Sequence, residues 1–480
     1  MRASAVGIAF TLAWTLVARA DTCATTPWAP MNGVPALTDF PAGYLYLGQY
    51  AGQLYPGSNS VPADHDAAGL AAAASIQTRD TLGNACAGPG CKIVFLAIGF
   101  SNATIEFCGG LGINGDPDDP AASGCPLPTS PTPYVQTESF IYRALTDPAV
   151  NHANVVIVDG AQGGQTFDKW DPSATSFANY DRVRDQILTP SGLSEAQVQA
   201  IWLKDGNATP AVSLATQTPG NPADAVIAER YLGNIMRTIR GRYPNVKQVF
   251  LSTRIYGGYA NTSVPPKTLN PEPYAFEYGF SVKWLIESQI EQMRGNPPSA
   301  DAGDLDYTAG TAPWIAWGPY LWANAMTPRS DGLTWLNSDM RGAGTNECTH
   351  PSTNGESKVA LRLLDFMKTA PYTAWFLGSG PACSITASSF RVAADKQTFS
   401  WSSSVPTGPF DVSKGDLGPL RASGGFATAA CRNNLSTTST VDTTPPPPGG
   451  ASWLLVRCDG ATWNDGSQTG SRDTTLTACP

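Results

Sequence analysis

Lys92-Ile93-Val94-Phe95-Leu96-Ala97-Ile98-Gly99-Phe100-Ser101-Asn102 is the stretch whose reading decides the fold. Its apolar run is continuous rather than alternating, the pattern of a strand buried on both faces of a sheet. Strands of that kind belong to parallel sheets covered by helices on either side. Runs at 154–160, 198–203 and 246–253 repeat the pattern, and helical periodicity is read over 67–76, 138–145, 180–188, 223–243, 276–293 and 358–367. In the segment 276–293, Trp284, Leu285 and Ile290 fall on one apolar face. Strands alternating with helices predict an α/β sandwich with a parallel sheet. The ligand site of such a sheet lies beyond the carboxyl ends of its strands.

Composition changes after Phe376-Leu377. Gly378-Ser379-Gly380-Pro381 reads as a linker, and short β-type runs follow at 389–392, 398–401, 410–412 and 453–457. The prolines at 445–448, followed by Gly449-Gly450, mark an exposed connection. The expected organisation is a signal peptide over 1–20, an α/β domain over 21–378 and a small all-β sandwich module over 384–480.

Met1-Arg2, the apolar run 5–17 and Ala18-Arg19-Ala20 have the layout of a cleavable export signal, too short to span a bilayer. The protein is therefore expected to be secreted or periplasmic, with no membrane anchor in its mature form. Ten cysteines, an even number, suit disulfides in that compartment. No Cys-x-x-Cys pair occurs and the three histidines are far apart, so no metal site is expected. With 30 basic against 39 acidic residues and no basic stripe, a nucleic-acid partner is excluded as an expectation. A low-charge chain rich in Gly, Pro, Trp and Tyr suits a neutral polymer such as a polysaccharide.

With three histidines, proton transfer near neutral pH has few carriers. In Glu347-Cys348-Thr349-His350-Pro351-Ser352 an acid stands three residues before a histidine, where its carboxylate can orient the imidazole. Ser101 follows the best strand at once. It is read either as a helix cap or as a nucleophile exposed at the sheet edge and awaiting a base. The second strand ends in Asp159-Gly160-Ala161-Gln162-Gly163-Gly164, where glycines let a backbone approach a ligand and offer N–H groups to an oxyanion, or simply make a tight turn. The third ends in Lys204-Asp205-Gly206-Asn207, where Asn207 can present its side-chain N–H or serve as a turn residue. His65, ahead of a helix, and His152, ahead of a strand, are read as structural.

The order Ser101, Gly164, Asn207, His350, with the first three just after strands, resembles the SGNH hydrolases, the GDSL-like esterase superfamily. The resemblance covers residues 91 to 367. It implies a three-layer α/β/α sandwich, flavodoxin-like with a parallel sheet, and hydrolysis of acyl or acetyl esters, including those on decorated polysaccharides. It makes Ser101 the nucleophile, His350 the base and Glu347 the acid, with Ser101, Gly164 and Asn207 as oxyanion donors. Phe100 stands where the family has aspartate in its Gly-Asp-Ser block, and Glu347 where it has aspartate before the histidine. Asp331, in Ser330-Asp331-Gly332-Leu333, is held as the reserve acid. No cofactor is implied. The alternative function is a glycan-binding protein without catalysis on the same scaffold.

Three structural expectations complete the reading. Cys108 is expected to pair with Cys348, tying the nucleophile segment to the base segment, with Cys108–Cys125 as the local alternative; Cys86 and Cys91 are expected to close a small loop. The aromatic segment Trp314-Ile315-Ala316-Trp317-Gly318-Pro319-Tyr320-Leu321-Trp322 is expected mostly in the core, with a sugar-stacking platform as the other reading. The same two readings apply to Trp401, Trp453 and Trp463. Arg254-Ile255-Tyr256-Gly257-Gly258-Tyr259 is expected to shape the substrate pocket.

Overall fold

Five parallel strands form the sheet at the centre of the first unit: β1 (Ile93–Gly99), β2 (Val155–Asp159), β3 (Val198–Lys204), β4 (Gln248–Leu251) and β5 (Trp314–Trp317). Their spatial order is β2-β1-β3-β4-β5. That doubly wound order has its topological switch between β1 and β3, where ligand clefts of open α/β sheets form. The computed structural model describes residues 23–109, 137–207, 209–261, 270–342, 348–378, 389–403, 410–423, 429–446 and 448–458. The chain divides into two compact units, one ending at Gly378 and the other starting at Ser379. The segment read as an export signal lies outside the described residues. Among the described residues no helix is long and apolar enough to cross a membrane.

The flanking helices are α1 (Ala63–Ala74), α2 (Ser101–Cys108), α3 (Phe140–Thr146), α4 (Asp224–Arg242), α5 (Tyr274–Met293) and α6 (Thr353–Thr369). Phe95 on β1 meets Phe107, Phe140, Trp375 and Phe376, and Trp202 on β3 stacks on Phe107. Phe250 on β4 meets Phe366 of α6. One sheet face is thus covered by α2, α3, α6 and the turn Pro371–Phe376. Side chains alternate along a strand, so the intervening positions face the other way. There α4 and α5 pack on each other, and Gln289 of α5 bonds both Pro313 O and Ile315 N beside β5. All seven residues of β1 and of β3 are buried; β1 is apolar throughout, whereas β3 buries Gln199 and Lys204 among its apolar residues.

Two elements differ from expectation. Trp314-Ile315-Ala316-Trp317, read only as packing or platform, is the edge strand β5, and Trp314, Trp317, Tyr320 and Trp322 are buried rather than a platform. Four residues between Pro313 and Gly318-Pro319 are too few to declare a strand by periodicity. The helix read at 180–188 begins as an α-helix over Ala178–Arg182 and continues as a π-helix over Val183–Leu188.

Among its described residues, the second unit contains two three-stranded antiparallel sheets. Its strands are β6 (Arg391–Val392), β7 (Thr398–Ser400), β8 (Phe410–Asp416), β9 (Ala430–Leu435), β10 (Ser439–Val441) and β11 (Ser452–Cys458). The sheet orders are β9-β8-β11 and β10-β7-β6. Trp401, Phe410, Val412 and Cys458 form a small core, with the Trp401 ring edge-on to Phe410. Trp401 is therefore a core residue. Trp453 is half-buried and lies against Gly415, and Trp463 lies outside the described residues.

Gly99 is the point where the sheet and the site meet. Its φ of 147° suits glycine, and a Cβ there would lie 1.9 Å from the Lys204 carbonyl oxygen. The strand partner is backbone and cannot move aside. Gly99→Ala is expected to destabilise the first unit by about 3 kcal/mol, the upper range for overpacking a core, read as a lower urea midpoint. A midpoint unchanged from wild type would contradict this account of the β1–β3 junction.

Candidate functional site

Ser101 is the first residue of α2, and Phe100 occupies the cap position in extended backbone. It is thus not a side-chain cap; its hydroxyl is left for other work. The chain leaves β1, turns through Gly99 and Phe100, and enters the helix at Ser101, so the helix's unpaired N-terminal N–H groups lie at the sheet's carboxyl edge. His350 arrives from the opposite end of the sequence. Its Nε2 lies 2.7 Å from Ser101 Oγ, and both residues are buried. The pair is within hydrogen-bond reach, the geometry by which a base activates a hydroxyl.

The segment carrying His350 is held from several sides. Arg341 N donates to His350 O at 2.8 Å and Ser352 N to Asp339 O at 2.9 Å. Ser352 caps α6, its Oγ accepting from Gly355 N. Cys348 has a positive φ of 55° and is disulfide-bonded to Cys23. The expected Cys108–Cys348 bridge is therefore wrong. Cys108 is disulfide-bonded elsewhere, and Cys125 lies outside the described residues. The N-terminal segment reaches Cys348 because it runs across the loops after β4 and β5. Ala29 N donates to Gly258 O, Asn324 Nδ2 to Val34 O, and Asn337 Nδ2 to Cys23 O. Nothing local in the sequence marks so distant a pairing. The Cys86–Cys91 loop forms as expected.

The glycine and asparagine segments are joined to the same strand end. Gln162 N donates to Gly99 O at 3.1 Å, and Phe167 N to Gly206 O at 3.2 Å. Gly164 takes a φ of 73° in open space, so glycine is needed there for its backbone and not for room. Asn207 Nδ2 donates to Asp224 Oδ1 at 2.9 Å, and Asp224 Oδ2 also accepts from Ala211 N and Val212 N at 2.8 Å. An amide nitrogen carries two hydrogens, so Asp224 orients the group while a second N–H remains to be given. Glu347 lies outside the described residues. Both carboxylate oxygens of Asp331 are taken by the Arg329 guanidinium, at 2.8 and 2.6 Å.

The remaining histidines sit elsewhere. His65 is in the first turn of α1, its Nε2 at 2.8 Å from Ile315 O and its ring stacked on Trp314. Burial holds its pKa below the ordinary value. His152 is exposed, with Nε2 at 2.9 Å from Asp147 O. Among the described residues no group of His, Cys, Asp and Glu side chains could hold a metal ion.

Beneath the Ser101–His350 pair the sequence reading missed a buried ion pair. Lys204 Nζ at the end of β3 contacts both carboxylate oxygens of Glu106 on α2, and both side chains have no exposure. Burial pulls the lysine down to about 8 and pushes the glutamate up, and the mutual attraction opposes both. Thr104 Oγ1 donates to Asp159 Oδ2 at 2.5 Å, fastening α2 to β2. Arg254 is almost fully buried, so it does not line a pocket as expected; its Nη2 reaches Thr349. Arg254 was visible in the sequence, but its partner lies 95 residues away.

No family model matches the sequence, and no curated protein matches it. Among solved structures, an extracellular lipase from Streptomyces rimosus matches over 57% of this chain and 98% of its own. Its identity is 13% and its TM-score 0.25, a likeness too low to carry an argument.

Buried carboxyls make stability pH-dependent. Burial pushes Asp159 up to about 6, and Glu272 and Glu277 up to about 7. Glu356, near Glu138 and Glu106, is pushed up to about 9. These folded values lie above the ordinary 3.8 and 4.5. Each group therefore adds stability that is complete below about pH 4 and lost as pH rises through its folded value. His65 and Lys204, whose folded values lie below the ordinary ones, act the opposite way but are outnumbered. The melting temperature is therefore expected to fall between pH 5 and pH 9 in calorimetry, and Glu356→Gln to flatten the upper part of that fall. A melting temperature that rises over this range would contradict the assignment.

Proposed function

We propose that this protein hydrolyses carboxylic esters through an acyl-enzyme on Ser101. The observation that carries the reading is the 2.7 Å contact between His350 Nε2 and Ser101 Oγ at the carboxyl edge of a parallel sheet. His350 takes the Ser101 proton as Oγ attacks the ester carbonyl, then gives it to the leaving alcohol. Water, deprotonated by His350 in turn, releases the acid. Glu347 orients the imidazole, with Asp331 the less favoured acid because Arg329 already holds its carboxylate.

The developing oxyanion is met by the Ser101 and Gly164 N–H groups and by the Asn207 amide. Three features support these roles. Ser101 opens a helix, where N–H groups lack intrahelical partners. The turn carrying Gly164 is bonded to Gly99 O, and Asp224 orients the Asn207 amide. The reaction needs no cofactor. The substrate we propose is an acetyl or short acyl ester, carried by a polysaccharide. The low-charge composition of the chain supports a neutral polymer. The disulfides Cys23–Cys348 and Cys86–Cys91 support a secreted or periplasmic location.

Ser101→Ala is expected to lower hydrolysis of 4-nitrophenyl acetate by about 10³-fold or more. Unchanged hydrolysis would sink the Ser101 reading, and a wild-type rate no higher than that of buffer would favour the glycan-binding protein without catalysis. Asn207→Ala should lower kcat by about 100-fold with little change in KM, the signature of a donor used in the transition state. A change confined to KM would remove Asn207 from the oxyanion site.

A further inference from the structure

We propose that Arg254 and Asn102 are positioning residues that set His350 against Ser101 by clamping Thr349. The proposal rests on the Ser101–His350 reading above. Thr349 O accepts from Asn102 Nδ2 at 3.2 Å and from Arg254 Nη2 at 3.3 Å, and Thr349 Oγ1 accepts from Arg254 Nη2 at 2.7 Å. The Arg254 guanidinium also lies over the Phe100 ring, 5.5 Å from its centroid. One buried cation therefore touches the residue just before the nucleophile and the residue just before the base. Asn102, next to Ser101 on α2, makes a second stitch between the same two segments.

The clamp acts on the right atom. The Thr349 carbonyl belongs to the planar peptide that leads into His350, so holding its oxygen sets the direction in which the His350 Cα and imidazole leave. The His350 carbonyl is held in turn by Arg341 N at 2.8 Å. The neighbouring Cys348 stands at a φ of 55°, a conformation that persists in a non-glycine residue only when its surroundings impose it. The disulfide to Cys23 and the charge-assisted bonds from Arg254 supply that imposition. Arg254 and Asn102 are each 1% exposed, so neither meets a substrate. Their removal should therefore change turnover and leave substrate binding in place.

The test compares kcat and KM for 4-nitrophenyl acetate in Arg254→Leu, Arg254→Lys, Thr349→Val, Thr349→Ser and Ser101→Ala, with the melting temperature of each. Arg254→Leu is expected to lower kcat by about 100-fold, the scale for a displacement near 1 Å, with KM within about twofold. Arg254→Lys should restore part of it, since an ammonium can still donate to Thr349. Thr349→Val should lower kcat by about tenfold, the scale of one lost hydrogen bond, and Thr349→Ser should restore it. That last pair carries the test if Arg254→Leu does not fold. Wild-type kcat in Thr349→Val, or no recovery in Thr349→Ser, overturns the clamp. An inactive Ser101→Ala beside a fully active Thr349→Val rejects the clamp alone; an active Ser101→Ala rejects the reading it rests on.

Discussion

A lysine without exposure at the end of a central strand must meet a carboxylate, and Lys204 meets Glu106. Leaving either charge unpaired at such depth would cost several kcal/mol. The pair therefore fixes α2 against β3, and with α2 it fixes Ser101, five residues before Glu106. The Gly99 close approach to Lys204 O sets the turn into that helix. Thr104 on Asp159 adds the link to β2. The place of Ser101 thus follows from buried polar contacts among β1, β2, β3 and α2 rather than from the turn that leads into the helix.

The His350 segment comes to this frame and is fastened to it. His350 lies 249 residues from Ser101 and belongs to a segment with no place in the sheet. Its neighbours are held by Cys23, Asn102, Arg254 and Arg341, contacts from four different parts of the chain. Rigid support on both sides suits a hydrogen bond that must be in place before substrate arrives. Buried acids elsewhere in the first unit are pushed toward their neutral forms, which ties its stability to pH.

The central strands were legible because burial on both faces writes a run rich in apolar residues, uninterrupted in Ile93–Gly99 and broken only by Gln199 over 198–203. Ser101 and His350 could be chosen because each follows or precedes a regular element and histidine is scarce. β5 was not legible, since its four residues carry no period that separates a strand from a packed aromatic turn. Nor was the Cys23–Cys348 bridge, because disulfide pairing depends on where an irregular N-terminal segment runs, and spacing does not encode that. Arg254 and Glu106 were hidden for a related reason. Each is defined by a partner distant in sequence, and a charged residue in a buried segment names no partner by itself.

The central claim is that His350 activates Ser101 in a site already assembled. The direct measurement is peptide mapping by mass spectrometry after reaction with ethyl 4-nitrophenyl phosphonate at pH 8, in wild type and His350→Ala. One phosphonyl group on Ser101 in the wild type, with labelling lost or greatly slowed in His350→Ala, is the result the account predicts. No adduct, an adduct on another residue, or equal labelling without His350 would contradict it.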